Sequence, residues 1–251
     1  MTAPLAIVIG MGPGLGQALV RTFAAAGFAV AFVGRNRETI QQHEARLRAQ
    51  GLAVSGFAAD AGVPAEMDET HDRIRARYGE AEVLIYNAAL IEPARFVTRS
   101  AITQAQYSGA PGWRARGEPA SFDYLMEAFR TNVAGAHHAA AAVAPAMIRR
   151  GRGTILLTGG VLAFGPWIEW GVTSLGKAAL RSLGHSLHKE LVEHGIHVST
   201  VAIHGTMKSG TPYDHDAVAR AYLDLHRRPR AGWTPDYHFK PDTVGERDPD
   251  A

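Results

Sequence analysis

The sequence predicts an α/β protein in which a doubly wound parallel sheet lies between two layers of helices. Three observations support this fold class. Short apolar runs alternate with longer segments of helical periodicity along most of the chain. A glycine-rich segment joins the first apolar run to the first helical segment. The chain has 251 residues, 46% of them hydrophobic, which suits one large α/β domain better than two small ones.

Each element of this fold has its own pattern. The predicted strands are residues 5–9, 28–33, 52–58, 83–86, 154–158, 196–203 and, as an edge strand, 237–240. The predicted helices are residues 15–26, 37–49, 64–78, 122–149, 174–194 and 216–226. Pro145 is expected to bend or end the last turns of its helix, and Gly195 is expected to cap the helix before it.

The chain is predicted to form one domain over residues 1–240, followed by a flexible polar tail over residues 241–251. Residues 91–120 interrupt the alternation because they are rich in proline and glycine. Connections of this length within a compact domain usually carry function or are disordered. We interpret this segment as an insertion on the substrate side of the domain.

The composition excludes several classes of function. The absence of cysteine rules out disulfides and thiolate catalysis and suits a cytoplasmic protein. A net charge of +2, without a long basic tract, indicates no nucleic-acid partner. No apolar run approaches the ~20 residues of a membrane helix, and no signal peptide is recognised, so no membrane association is expected. No metal site is predicted either, because the paired histidines His185 and His188 lack a third ligand.

The glycine-rich segment has the features of a diphosphate-binding loop. Gly10, Gly12, Gly14 and Gly16 lie between the first strand and the first helix, with Leu15 opening that helix. Glycines let the backbone turn tightly and approach a diphosphate, and a helix start offers free N–H groups and partial positive charge. A purely structural glycine-rich turn is the alternative.

The end of the second strand indicates which dinucleotide binds. An acid at this place binds the ribose 2′-hydroxyl in NAD-selective sites, but here the chain has Arg35 and Arg37. A guanidinium can bind a 2′-phosphate through two hydrogen bonds, which favours NADP(H). Alternatively, both arginines are solvated at the start of a helix.

These segments resemble the short-chain dehydrogenase/reductase family, whose members have a Rossmann fold, over roughly residues 4–210. The resemblance implies that Asp60, followed by Ala61, contacts the adenine. It further implies that Lys177 binds the nicotinamide ribose, although a solvated helix lysine is the alternative. The other positions that match the family's cofactor contacts are Asn87, Ala88, Gly205, Met207 and Ser209.

The chain departs from the family at the catalytic residues. The alignment puts Gly160 in place of the catalytic serine and Thr173 in place of the tyrosine, while Asn132 and Lys177 are kept. Reducing a ketone by hydride makes an alkoxide, which a phenol with a pKa of about 10 can protonate. A threonine hydroxyl is a far weaker acid, and it lies roughly 4 Å closer to its own backbone.

Three other residues are candidate proton donors near the site. Glu169 could act as a replacement acid or stabilise a cationic substrate, or it could be an ordinary loop glutamate. Tyr86, at the end of the fourth strand, and Tyr107, in the insertion, are phenols that could reach the site, but neither is favoured as the acid. Together with Asn132, Thr173 and Lys177, Glu169 completes the predicted catalytic set.

Two classes of function are compatible with this pattern. The first is an NADP(H)-dependent oxidoreductase with an atypical catalytic site that reduces a small molecule such as an imine or another preactivated acceptor. The second is a non-redox NADP-binding scaffold, acting as a sensor, a partner subunit or a catalyst of cyclisation or isomerisation. A homodimer or homotetramer is expected, through the apolar stripes of the helices that begin near Phe122 and Ser174.

Arg35→Ala should weaken NADPH binding and leave NADH binding nearly unchanged, because only NADPH carries the 2′-phosphate that the guanidinium would bind. Isothermal titration calorimetry with both cofactors measures this difference. An equal loss of affinity for the two cofactors would contradict the assignment of Arg35 to the 2′-phosphate.

Overall fold

A computed structural model describes residues 3–107 and 114–241 of the chain. Seven parallel strands form one sheet in the order β3-β2-β1-β4-β5-β6-β7. The strands are β1 (Leu5–Ile9), β2 (Ala29–Gly34), β3 (Val54–Ala58), β4 (Val83–Tyr86), β5 (Gly153–Thr158), β6 (Ile196–Ile203) and β7 (Asp236–Phe239). The predicted doubly wound sheet is confirmed, with β7 at one edge.

Helices cover both faces of the sheet. They are α1 (Leu15–Ala25), α2 (Arg37–Ala49), α3 (Pro64–Tyr78), α4 (Phe122–Phe129), α5 (Gly135–Arg150), α6 (Gly171–Leu191) and α7 (His215–Arg227). Side chains of α1, α2 and α7 pack on one face, and those of α3, α5 and α6 pack on the other. Every residue of β6 is buried, as expected of a parallel strand covered on both faces.

The structure differs in two ways from the single helix predicted over residues 122–149. A π-helical turn at Arg130–Ala134 separates α4 from α5. Of the two effects expected of Pro145, an end of the helix is not observed, because α5 continues to Arg150. Ala141 and Pro145 are both exposed, so water can satisfy the carbonyl that loses its hydrogen bond to the missing proline N–H. At the end of the later helix α6, Gly195 follows the last turn and adopts the left-handed conformation, as predicted for its capping residue.

The described part of the insertion is fastened to the domain body. Ala94 forms an isolated parallel bridge with Trp170, just before α6. The carboxylate of Glu92, with only 3% of its side chain exposed, accepts a hydrogen bond of 2.6 Å from Arg116 Nε. The Arg116 guanidinium also lies 3.9 Å from the centre of the Tyr124 ring in α4. The predicted tail beyond residue 241, like residues 108–113, lies outside the described residues.

Two features of the described residues concern membrane and metal binding. Among the helices of the described ranges, none combines the length and the apolar character that crossing a membrane requires. Within those same ranges, no cluster of three or more histidine, aspartate or glutamate side chains is arranged to hold a metal ion.

Arg116→Ala should destabilise the protein by about 3 kcal/mol, because it leaves the buried Glu92 carboxylate without its partner. In a domain of this size, that corresponds to a fall in the melting temperature of roughly 6–12 °C. Arg99→Ala is the matched control, since the Arg99–Glu118 pair of the same insertion is largely exposed on both sides. Circular dichroism melts that showed equal shifts for both variants would contradict the anchoring role of Glu92.

Candidate active site

The glycine loop after β1 is shaped by close backbone contacts. Gly10 has a φ of +100°, and a Cβ atom built on it would lie 2.3 Å from the Ala88 backbone nitrogen. A Cβ atom on Gly16 would lie 2.5 Å from the Gly10 carbonyl oxygen. Larger residues at these two positions would push α1 and the segment after β4 away from the loop. Asn87 fixes the same contact, because its Nδ2 donates to the Gly10 carbonyl at 2.8 Å.

The outer side of this loop is open. A Cβ atom on Gly12 would meet nothing within 4 Å, and no side chain caps the start of α1 at Gly14. Leu15 is buried and holds the first turn of α1 on the core. The free N–H groups of this first turn therefore face a space that an anion can enter.

The adenosine end of the predicted site has a free cation and a fixed carboxylate. Arg35 follows β2 and is exposed, with no hydrogen bond or ion pair within residues 3–107 and 114–241. Asp60 follows β3, and its Oδ1 accepts from Gly62 N at 2.8 Å. Ala61 is buried, with its carbonyl oxygen 2.2 Å from the Cβ position of Gly135. Asp60 and Ala61 thus lie on the same rigid turn.

Asn132 lies in the π-helical turn and is fully buried. Its Oδ1 accepts from Leu90 N at 2.6 Å, and its Nδ2 donates to Leu90 O at 3.1 Å. A Cβ atom on Gly176 would lie 2.9 Å from this Nδ2. Asn132 therefore fixes the loop after β4 against α6. Its contact with α6 is at Gly176, one residue before Lys177. Each polar atom of its amide is hydrogen-bonded to the Leu90 backbone, so Asn132 acts here as a positioning residue.

Lys177 is the buried cation of the site. Its Nζ donates to the Thr158 carbonyl at 2.7 Å, at the end of β5. Only 6% of the residue is exposed, and this burial lowers the pKa of Lys177 to about 8. The Thr158 hydroxyl in turn accepts from the buried Tyr222 hydroxyl at 2.8 Å. Tyr222, from α7, is a support of the site that the sequence reasoning missed.

The positions of the missing serine and tyrosine differ in their surroundings. A Cβ atom on Gly160 would have only the Ile203 carbonyl oxygen at 4.0 Å, so this position is open. Thr173 is 1% exposed, and its hydroxyl has no hydrogen-bond partner among the described residues. Thr173 lies one helical turn before Lys177 on α6, so the two share a face as predicted from their spacing.

The structure argues against Glu169 as a replacement acid. Its carboxylate is ion-paired with Arg95, accepts from the Ser100 hydroxyl at 2.7 Å and from Ala101 N at 3.2 Å. The hydrogen bonds from Arg95 and Ser100 lower the pKa of Glu169 to about 2, so it carries no proton to donate near neutral pH. Glu169 is instead a second anchor of the insertion.

Neither candidate phenol is free to replace the catalytic tyrosine. The Tyr86 hydroxyl donates to the Thr131 carbonyl at 2.5 Å, and burial raises the pKa of Tyr86 strongly. The Tyr107 hydroxyl donates to the Ile91 carbonyl at 2.5 Å, and burial raises the pKa of Tyr107 to about 12. Both phenols therefore hold backbone in place and are poorer acids than a free phenol.

The segment after β6 lies at the same edge of the sheet as the glycine loop, since all seven strands are parallel. A Cβ atom on Gly205 would lie 2.5 Å from the Tyr213 ring, so the segment turns closely against the start of α7. Met207 packs against the apolar core on the face of the sheet that α1, α2 and α7 cover, whereas Ser209 is exposed. The predicted cofactor residues are thus brought to one edge of the sheet.

Comparison with known proteins identifies the family. A family model described as short chain dehydrogenase matches residues 4–216. The chain belongs to this family. It is 26% identical over 198 residues to 2,3-dihydro-2,3-dihydroxybenzoate dehydrogenase of Bacillus subtilis, covering 79% of this chain and 68% of the relative. It is 30% identical over 199 residues to sorbitol dehydrogenase of Cereibacter sphaeroides, covering 78% and 68%.

A solved structure supports the same fold. A metagenomic short-chain oxidoreductase in complex with NADP superposes with a TM-score of 0.78 at 21% identity, covering 96% of this chain and 99% of that one. As a short chain dehydrogenase, the protein belongs to an oxidoreductase family that uses NAD(P) cofactors. The sequence resemblance and the predicted Rossmann fold are therefore confirmed.

The free energy of unfolding of this short chain dehydrogenase should rise with pH between about pH 8 and pH 10. The folded protein releases the Lys177 proton at lower pH than the unfolded chain does, because burial lowers the pKa of Lys177 to about 8. Unfolding therefore takes up a proton in this window, and stability gains roughly 1 kcal/mol per pH unit. Lys177→Met should remove this gain in chemical denaturation.

Lys189→Met is the matched control, because Lys189 lies on the exposed side of the same helix. This variant should keep the pH-dependent gain in stability. Curves of equal slope for the Lys177→Met protein and the unsubstituted protein would contradict the low pKa of Lys177.

Proposed function

We propose that the protein is an NADP(H)-dependent oxidoreductase whose active site works without the serine and tyrosine of its family. One observation carries the proposal: Lys177 and Asn132 keep their places beside an open Gly160 and a buried Thr173. Lys177 and Asn132 can thus support cofactor binding, whereas Gly160 and Thr173 supply no group that would protonate a ketone.

The residues present fit a dinucleotide. Gly10 and Gly16 let the loop fold closely on the neighbouring backbone, and the open side at Gly12 admits a diphosphate. Arg35 offers an unpaired guanidinium for a 2′-phosphate, which supports NADP(H) over NAD(H). The NADP bound in the metagenomic oxidoreductase of similar fold agrees with this choice.

The chemistry proposed for this site follows from what each residue can do. NADPH supplies a hydride when bound. Lys177 holds the nicotinamide ribose through its ammonium, and Asn132 keeps the adjoining loop and α6 in register. Neither Gly160 nor Thr173 can orient a carbonyl and deliver a proton to an alkoxide. The favoured substrates are therefore small acceptors that need no dedicated acid, such as imines protonated to iminium ions.

The pairing of Glu169 refines this proposal. Arg95 neutralises the carboxylate that was expected to stabilise a cationic substrate. The preference for preactivated acceptors therefore depends on the missing phenol and not on an ion pair with Glu169. Reduction of an iminium ion yields a neutral amine, so the step needs no further proton.

A second candidate function is a non-redox NADP-binding scaffold. The surroundings of Thr173 favour it, because this residue takes the tyrosine's position in the chain while its hydroxyl is buried and has no hydrogen-bond partner among the described residues. The two candidates differ in whether NADPH is consumed. An oxidoreductase changes the NADPH absorbance with some acceptor, whereas a scaffold binds NADPH and leaves it unchanged.

In a panel of ketones, aldehydes, enones and cyclic imines, the imines should be reduced fastest. Simple ketones should react about 10²–10⁴-fold more slowly, the factor that a positioned general acid usually contributes. The fall in NADPH absorbance over time measures each rate. Glu169→Gln should keep the same order of substrates, because Glu169 is an anchor and not the acid.

Robust ketone reduction by the unsubstituted protein would contradict the argument from the missing proton donor. Binding of NADPH without oxidation by any member of the panel would favour the non-redox scaffold. A change in substrate order in the Glu169→Gln protein would indicate that the Glu169 carboxylate takes part in the reaction.

We further propose that the chain forms a homodimer or homotetramer and acts in the cytoplasm, which its lack of cysteine suits. Support for assembly comes from α4 and α6, which pack together and expose Phe122, Phe129 and Leu175. A contiguous apolar surface of this kind usually marks an interface.

Leu175→Glu should convert the oligomer to a smaller species, because a charge in an apolar interface is costly to bury. Light scattering at micromolar concentration measures the mass. Val63→Glu, at an exposed apolar residue before α3, is the control and should leave the mass unchanged. A mass of one chain for the unsubstituted protein would refute the assembly.

A further inference from the structure

The imidazole of His215 lies directly over the glycine loop. His215 opens α7, and its Nε2 lies 2.9 Å from the position that a Cβ atom on Gly14 would occupy. Its Cδ2 lies 3.2 Å from the same point. The ring can approach this closely only because residue 14 has no side chain. The sequence gives no sign of this contact, since 201 positions separate the two residues.

The backbone of His215 is held on both sides. Asp214 caps α7, because its Oδ1 accepts from Asp216 N at 2.8 Å and its Oδ2 accepts from Gly210 N at 2.9 Å. Asp216 is ion-paired with Arg21 of α1 at 2.5 Å. The start of α7 is thereby fixed to α1, the helix that the glycine loop opens.

The His215 side chain, in contrast, has no protein partner for its polar atoms. Among the described residues, it makes no hydrogen bond or ion pair, and it is only partly buried. The neighbouring acids are already engaged, Asp216 by Arg21 and Asp214 by two backbone N–H groups. An imidazole N–H is a hydrogen-bond donor, and here Nε2 lies beside Gly14, at the start of α1.

We propose that His215 is a further cofactor-binding residue, which donates a hydrogen bond to the diphosphate at the glycine loop. This assignment rests on the proposed binding of NADP(H). The loop and the start of α1 supply only backbone N–H groups to this opening. His215 adds the side-chain donor that the glycines themselves cannot provide, and α7 carries it.

The test compares three ligands that differ in the diphosphate. NADPH and 2′-phospho-ADP-ribose contain it, whereas adenosine 2′-monophosphate lacks it. His215→Ala should weaken binding of the first two by about tenfold, the usual effect of losing one hydrogen bond to a charged group. Binding of adenosine 2′-monophosphate should stay the same. Calorimetry with the full chain measures all three affinities, and His215→Gln should recover part of the loss.

His194→Ala is the matched control, because His194 is an exposed histidine before β6, at the opposite edge of the sheet. It should bind all three ligands as the unsubstituted protein does. Equal affinities of the His215→Ala protein and the unsubstituted protein for NADPH would overturn the assignment. An equal loss for adenosine 2′-monophosphate would also overturn it, since that pattern means a disturbed loop.

The unsubstituted protein separates this inference from the proposed function. If it binds NADPH and His215→Ala does not change the affinity, only the role of His215 fails. If the unsubstituted protein binds neither NADPH nor 2′-phospho-ADP-ribose, the proposed function and the role of His215 fail together.

Discussion

The two hydrogen bonds between Asn132 and the Leu90 backbone hold the site together. They join the π-helical turn to the loop that follows β4, and Gly176 lets α6 pack against the same amide. A buried amide with both polar atoms paired is rigid, because leaving either atom unpaired costs about 1–3 kcal/mol. The position of Lys177, one residue after Gly176, depends directly on this contact.

The same contact explains the π-helical turn. An additional residue in one turn of a helix shifts the side chains that follow, and such turns are frequent at functional sites. Here the turn spans Arg130–Ala134 and puts Asn132 within reach of Leu90. The turn also leaves the Thr131 carbonyl available to the Tyr86 hydroxyl. The helix irregularity and the paired amide are therefore parts of one arrangement.

The insertion is held in place by ion pairs. Glu92 is bound by Arg116 within the insertion, and Glu169, just before α6, is bound by Arg95. Breaking such a pair leaves a charge in a poorly hydrated place, which costs more than the pair itself contributes. These carboxylates consequently fix the shape of the insertion.

The sequence predicted the local elements well because their signals are local. The bounds of β1, β4, β6, α2 and α3 agree with the predicted ranges, since apolar periodicity and cap residues lie within each element. Long-range partners have no such signal. Glu169 and Arg95 are 74 positions apart, and periodicity in neither segment shows that the carboxylate is neutralised. The π-helical turn also has no local signal, because Asn132 in this turn is hydrogen-bonded to Leu90, 42 positions earlier in the chain.

Lys177 has no phenol one helical turn before it, because residue 173 is a threonine. Where a phenol is present, a nearby ammonium lowers its pKa and makes it a better acid. Here the ammonium has no phenol to assist, and burial disfavours its own charge, so the pKa of Lys177 falls to about 8. Its neighbour in the protein is the Thr158 carbonyl, which accepts one of its three hydrogens. Ribose hydroxyls that accept the others would favour the charged form, so cofactor binding and protonation of Lys177 are thermodynamically linked.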